Sequence, residues 1–178
     1  MTKVISIIAG VLVAAIVVVL IVAATRPDTF RVERSARIKA APEKIFPLID
    51  DFHRWVSWSP WEKKDPAMKR TYSGAASGKG AVYEWDGNKD VGQGRMEIIE
   101  SSAPAKVVVK LDFIKPFEGH NIAEFTLLRE GNATEVTWAM HGPLPLVAKV
   151  MHLFFDMDKM VGSDFAAGLA NLKAVAEK

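Results

Sequence analysis

The side chains that could carry chemistry are few and scattered. Four histidines, His53, His120, His141 and His152, stand far apart, and none has a metal-ligand spacing such as H-E-x-x-H. Surface or hydrogen-bonded structural roles are expected for all four. Asp156-Met157-Asp158 offers two carboxylates, but side chains two apart on a helix diverge, so they are expected at its edges, paired with Lys159 or solvent. Ser59 and Ser163 have no recognisable base, and a G-x-S-x-G elbow is absent. Gly92-Gln93-Gly94 is too short for a phosphate loop and leads into a strand rather than a helix. Asn132-Ala133-Thr134 has the form of a glycosylation sequon but falls in a hairpin turn. The chain has no cysteine, which excludes disulfides, thiolate metal sites and cysteine nucleophiles. No catalytic residue, metal or cofactor is therefore expected. Glu100 is the one acid that strand alternation places on an apolar face, and it lies at a strand end.

The informative residues are the aromatic and sulfur-bearing ones, and the elements that aim them come next. Between Met68 and His141 the sequence alternates with a period of two. Tyr83 and Trp85 share a face, as do Met96 and Ile98, then Val109, Leu111 and Phe113, then Phe125, then Trp138 and Met140. One wet and one dry face marks an antiparallel sheet. Turn residues separate the runs at Ser77-Gly78, Asp86-Gly87-Asn88, Ala103-Pro104, Phe117-Glu118-Gly119 and Gly131-Asn132.

Upstream, Thr29 to Lys39 reads as a first strand. Ala41-Pro42-Glu43 opens a helix that Pro47 keeps short, and Asp50 or Asp51 caps a second short helix carrying Phe52, Trp55 and Val56. The Trp58-Ser59-Pro60-Trp61 stretch is read as ending it. Downstream, Leu144-Pro145 opens a final helix running almost to the C-terminus. Val150, Phe154, Met157, Val161, Phe165, Leu169, Leu172 and Val175 form its apolar stripe. Gly162 and Gly168 weaken such a helix by about 1 kcal/mol each, so close helix–sheet approach is expected there.

Ahead of all this lies Val4 to Ala24, without a charge and with one hydroxyl, Ser6. A helix of that length at about 1.5 Å per residue crosses the roughly 30 Å core of a bilayer. Lys3 and Arg26 flank it, and Pro27 follows. A cleaved signal usually has a shorter apolar region; the only candidate cleavage site here is around Ala23-Ala24-Thr25. An uncleaved single-pass anchor over residues 1–26 is therefore expected, with one domain over residues 27–178. Arg26, Arg31, Arg34, Arg37 and Lys39 tilt the expectation towards a cytoplasmic domain. Beyond the apolar run acids and bases nearly balance, which leaves no electrostatic case for nucleic acid.

The order of elements, and specific residues along them, resemble the polyketide cyclase/dehydrase branch of the START-like (SRPBCC) superfamily. The resemblance rests on Arg34-Ser35 with Ile38, on Ala41-Pro42-Glu43-Lys44-Ile45-Phe46, and on Trp55-Val56-Ser57-Trp58-Ser59-Pro60-Trp61. Gly92-Gln93-Gly94-Arg95-Met96, Val136-Thr137-Trp138-Ala139-Met140, Gly162-Ser163-Asp164-Phe165 and Gly168 through Lys173 complete it. It implies an α+β helix-grip fold, a curved antiparallel sheet of about seven strands around a long C-terminal helix. It also implies a cavity for lipids or other apolar molecules. The candidate cavity residues are Trp58, Trp61, Tyr83, Trp85, Met96, Ile98, Val109, Leu111, Phe113, Phe125, Trp138, Met140, Phe154, Met157 and Phe165. Trp58 and Trp61 could rim the entrance or cap the sheet end.

Three functions remain open at this point. The first is a membrane-tethered binder or carrier of a hydrophobic small molecule or lipid. The second is a cyclase, dehydratase or hydrolase using the same cavity, which needs an acid–base group inside it. The third is a protein-interaction module, for which the charged loop from Trp61 to Met68 is the place to look.

Overall fold

The structure, a computed structural model, describes residues 2–178, and at Thr2, Lys3 and Met157 the backbone alone. In chain order the elements are α1 (Thr2–Ala24), β1 (Thr29–Ile38), α2 (Pro42–Asp50), a 3-10 helix (Phe52–Ser57) and α3 (Pro60–Lys64). Then come β2 (Lys69–Gly74), β3 (Ala81–Asp86), β4 (Gln93–Ser102), β5 (Lys106–Lys115), β6 (Gly119–Glu130) and β7 (Ala133–Pro143). Two helices close the chain, α4 (Leu146–Phe154) and α5 (Met157–Ala176). The chain divides into two compact units, Met1–Phe30 with Pro143–Met157, and Arg31–Gly142 with Asp158–Lys178.

In the first unit, α1 carries the 21-residue apolar run Val4–Ala24, with mean hydropathy 3.3; its side chains are exposed except Val19, which is half-buried, and Ala23, which is buried. The helix end is closed by local bonds, Thr25 Oγ1 donating to the Val22 carbonyl at 2.8 Å and Arg26 N–H to that of Ala23 at 3.1 Å. α4 packs beside it.

The second unit is built on a seven-stranded antiparallel sheet in the order β1-β7-β6-β5-β4-β3-β2. Hairpins join β2 to β7 in sequence order, and β1 crosses over to lie beside β7. The register sets Trp85 opposite Gly94, Met96 opposite Leu111, and Phe125 opposite Trp138. Alternation buries the expected face: Tyr83, Trp85, Met96, Ile98, Val107, Val109, Phe125, Val136, Trp138 and Met140. One position departs from it. Ile98 pairs with Val109 but Glu100 pairs with Val108, so Ile99 is an extra residue in β4. A bulge of this kind reverses the facing of everything after it. Glu100 therefore turns outward, is exposed and lies 3.6 Å from Lys106, which corrects its expected place on the apolar face.

The short helices also depart from expectation in one respect. α2 starts at Pro42, tolerates Pro47 and buries Ile45, Phe46 and Ile49. Asp51 caps the 3-10 helix through the His53 N–H at 2.9 Å. Trp58 ends the 3-10 helix as expected, its N–H bonding the Trp55 carbonyl at 3.1 Å, but an unexpected further turn follows. Pro60 takes the first position of a further turn, α3, where its fixed φ and missing N–H do no harm.

The final helix is two helices rather than one. Phe155 is extended, at φ −123° and ψ 127°, and its N–H closes α4 on the Met151 carbonyl at 3.0 Å. Phe154 therefore belongs to α4 in the first unit and is 69 % exposed, not turned towards a cavity. α5 buries Phe165, Leu169, Leu172 and Ala176.

The two glycines of α5 mark close approach, as their cost implied. A Cβ on Gly168 would lie 2.8 Å from the Trp138 ring and 3.1 Å from Pro60. At Gly162 it would run into the Arg34 guanidinium. That guanidinium forks onto Asp158 of α5, at 3.1 and 3.0 Å to the two carboxylate oxygens, and also reaches its backbone carbonyl at 3.0 Å. Asp158 is thus tied to Arg34 across the unit.

Candidate ligand cavity

Within the second unit a cavity of about 170 Å³ is lined by residues of the sheet, the 3-10 helix, α3 and α5. Nine of the expected residues line it: Trp61, Tyr83, Trp85, Met96, Leu111, Phe113, Trp138, Met140 and Phe165. Trp58, Ile98, Val109 and Phe125 are fully buried but pack behind this wall, in solid core. Phe154, in α4 of the first unit, is not among its lining residues, and the Met157 side chain is outside the described residues. Trp55, Ser59, Glu62, Met68, Val91, Ala123, Val161 and Asp164 also line the cavity.

The wall is aromatic, and Trp138 is its centre. Its ring stacks on Phe165 at 4.2 Å and 8°, and on Phe125 at 4.8 Å and 29°. Trp61 stands edge-on to both Trp138 and Phe165, at 5.6 and 6.2 Å. Such pairs contribute about 0.5–1.5 kcal/mol each beyond their buried area. The indole N–H groups of Trp55, Trp58 and Trp85 donate to the carbonyls of Ile49, Leu48 and Val91 at 2.9, 2.8 and 3.0 Å. That of Trp138 is buried without an acceptor among the described residues. An unmade bond of this kind costs about 1–3 kcal/mol, so the indole is held by ring packing rather than by a hydrogen bond of its own.

One carboxylate enters this apolar box. Glu62 on α3 is 7 % exposed; its Oε1 accepts from the Tyr83 hydroxyl at 2.8 Å and its Oε2 from Arg70 Nε at 2.7 Å. Arg70 is committed further, donating to the Met68 carbonyl at 2.7 Å. Burial, reinforced by the Glu62 hydrogen bond, holds the Tyr83 phenol far above its ordinary value, so it stays a protonated donor. The charge of Glu62 is balanced by Arg70 and both its oxygens are occupied, which is how a carboxylate survives here. The sequence reading treated Trp61 to Met68 as a charged loop and so missed Glu62. The Pro60 start signal with Glu62 two residues later was the available clue. At the cavity edge Lys64 donates to both oxygens of Asp164 at 2.8 and 2.7 Å, and Asn171 Nδ2 to the Trp58 carbonyl at 3.0 Å. These bonds tie α5 to the short helices.

The histidines lie elsewhere. His53 stacks on Tyr72 at 4.2 Å and meets Asp51 at 2.9 Å. His120 pairs with Asp112 at 2.7 Å, and that bond raises its pKa. His141 lies half-buried on β7. In the first unit, His152 packs edge-on to Phe30 at 6.2 Å, and burial lowers its pKa. Among the described residues no three His, Asp or Glu side chains converge as a metal site would require.

Comparison with known proteins places this architecture. Residues 29–177 match the family described as polyketide cyclase / dehydrase and lipid transport. No curated protein matches the chain. Among solved structures, the protein CV1439 from Chromobacterium violaceum is similar at TM-score 0.58 and 15 % identity, over 85 % of this chain and 99 % of that one. The Aha1 dimer from Colwellia psychrerythraea gives 0.57 and 19 %, over 83 % and 96 %. The di-domain ARO/CYC BexL from the BE-7585A biosynthetic pathway gives 0.61 and 14 %, over 89 % of this chain and 53 % of that one. At such identities the likeness is one of fold. The match over nearly all of β1 to α5 carries more: the chain belongs to the polyketide cyclase/dehydrase and lipid transport family, on the helix-grip fold of the START-like superfamily.

Proposed function

We propose that this protein is a membrane-anchored binder of small apolar molecules, with an anchor over residues 1–26 and the binding domain over residues 27–178. The observation that carries the reading is the cavity itself, an aromatic and methionine-lined space whose two carboxylates, Glu62 and Asp164, are both charge-compensated. Its size narrows the ligand. Drug-sized pockets run from about 300 to 1,000 Å³, whereas an engineered apolar cavity of about 150 Å³ admits benzene. At about 170 Å³ this one suits a single ring or the end of an acyl chain. Met68, Met96 and Met140 are the pliable part of its wall and could yield to something longer. The membrane part rests on the length and uniform hydropathy of α1. Arg26, Arg31, Arg34, Arg37 and Lys39 beyond it, set against Lys3 and the terminal amine before it, tilt the reading towards the cytoplasmic side for the domain.

Toluene titrated into the full chain in detergent micelles tests the binding part. The methyl resonances of Met68, Met96 and Met140 should shift and saturate, and Met140→Trp, which fills the space, should abolish the response. Native mass spectrometry with solvent extraction then identifies what the protein retains. A folded chain whose methionine methyls ignore toluene, and which retains nothing, would remove the binding reading. Resistance of the chain to alkaline extraction from membranes, with its N-terminus intact by mass, tests the anchor.

One observation favours a second reading, an enzyme of cyclase or dehydratase type. Tyr83 and Glu62 form a proton-bearing pair on the cavity wall. Both Glu62 oxygens are already occupied by protein donors, so binding without chemistry is the better account.

A further inference from the structure

α4 is amphipathic in the wrong sense for a helix in water. Its one charged residue, Lys149, is 5 % exposed, while Val147 is 74 % and Phe154 69 % exposed. At 100° per residue Leu146, Val147, Val150, Met151 and Phe154 fall within about 140° of arc, so they form one apolar face. Leu146, Met151 and the adjoining Phe155 are exposed as well. Lys149 points the other way, donating to the Arg26 carbonyl at 2.9 Å and to Asp28 Oδ1 at 2.6 Å. The Leu144 N–H adds a bond to the Asp28 carbonyl at 2.7 Å. Apolar surface left in water forfeits about 25 cal/mol per Å², and a soluble helix would bury that face and expose the lysine.

We infer that α4 is an interfacial helix, laid along the bilayer surface beside the point where α1 emerges, with Val147, Met151 and Phe154 in the lipid. The inference rests on the membrane-span reading of α1 and deepens it. The tether fixes the occupant. Arg26 and Asp28 are two and four residues beyond Ala24, a reach of at most about 7–14 Å for extended chain. The headgroup layer is about 5–8 Å deep on each side, so whatever Lys149 grips is held in that layer or within a few Å above it. The bonds that hold the lysine inward turn the opposite, apolar face outward at the same depth, where amphipathic helices bury such faces. The medium that meets α4 is thus the one that meets the end of α1. α1 with its collar would set the depth of the anchor and resist its tilting or withdrawal. It also accounts for Ala23, which is fully buried although the run, Val19 apart, is otherwise exposed.

Because the chain has no cysteine, the test needs no background removal. Single-cysteine variants Val13→Cys, Val147→Cys, Ala148→Cys, Met151→Cys, His152→Cys and Phe154→Cys of the full chain carry an environment-sensitive fluorophore. Each is reconstituted into phosphatidylcholine vesicles bearing nitroxides either near the headgroup or deep in the acyl chain. At positions 147, 151 and 154, headgroup-level nitroxide should quench several-fold more than aqueous iodide. Positions 148 and 152 should quench less from the lipid side, giving a helical oscillation. Position 13 should respond to the deep nitroxide. Iodide-dominated quenching at 147, 151 and 154, with position 13 still quenched from deep in the lipid, overturns the collar and leaves the anchor standing. A position 13 blind to both lipid nitroxides overturns the anchor and the collar together.

Discussion

α4 and α5 obey opposite rules although one apolar stripe runs through both. α5 follows the soluble pattern: Phe165, Leu169 and Leu172 point inward, while Asp158 and Lys159 are exposed. α4 hides its lysine and shows Val147 and Phe154. Each is nonetheless tied down by the same device, an aspartate gripped by a cation, Asp158 by Arg34 and Asp28 by Lys149. The difference teaches that helical periodicity records which residues share a face, not which medium that face meets. Only the placement of the charge tells the two apart, and at Lys149 it is turned inward.

The comparison can be broken most directly by truncation on each helix. Leu172→Ala in α5 should lose about 2–5 kcal/mol from unfolding of the domain, by lost burial and a residual cavity. Phe154→Ala in α4 should change the same denaturant midpoint by no more than about 0.5 kcal/mol. Equal losses at the two positions would show that Phe154 is packed against protein. Glu62→Ala comes next, near the low end of about 3–5 kcal/mol for breaking a buried pair, because Arg70 retains partial access to water. Glu62→Gln should recover part of that by keeping an acceptor for Tyr83, and a failure to recover any would deny the carboxylate its structural role. Gly168→Ala follows, at about 1–3 kcal/mol, since its Cβ meets Trp138 and Pro60; a stabilised variant would contradict the close approach.

The smallest effect is common to both helices. Arg34 and Lys149 hold the carboxyls of Asp158 and Asp28 below the usual aspartate range, in each case chiefly through the side-chain hydrogen bond. A depressed acid contributes attachment that is fully present above its unfolded value and is lost as pH falls through the folded one. Both tethers should therefore loosen only in strong acid, followed by carboxyl carbon chemical shifts. His120 has the reverse sign: raised by Asp112, its pairing is complete below the ordinary histidine value and fades as pH rises through the raised one. A midpoint for either aspartate at or above its ordinary value would break the parallel.

Much of the site was legible from period-two alternation, because a sheet with one dry face leaves little choice of facing. That argument carried Tyr83, Trp85, Met96, Leu111, Phe113, Trp138 and Met140 to the cavity wall. It could not tell wall from interior, so Ile98, Val109 and Phe125 came with them although they sit in solid core. It also failed where the chain slips by one residue. Ile99 has no compositional mark as a bulge, and everything assigned to Glu100 turned with it. Glu62 was hidden for a different reason. A five-residue helix leaves too short a pattern to read, and only its burial against Tyr83 and Arg70 reveals what it does. Phe154 was misplaced by the continuity of a stripe that the backbone interrupts at Phe155.

The crossing of Arg34 over Gly162 has a consequence for how this sequence can drift. The guanidinium occupies the volume that any side chain at 162 would need, so the two positions are sterically coupled. A larger residue at 162 must push the flexible guanidinium end aside, which loosens its fork onto Asp158, and shortening the arginine removes the same clamp. A change at either position is therefore felt at the same place, the attachment of α5 through Asp158.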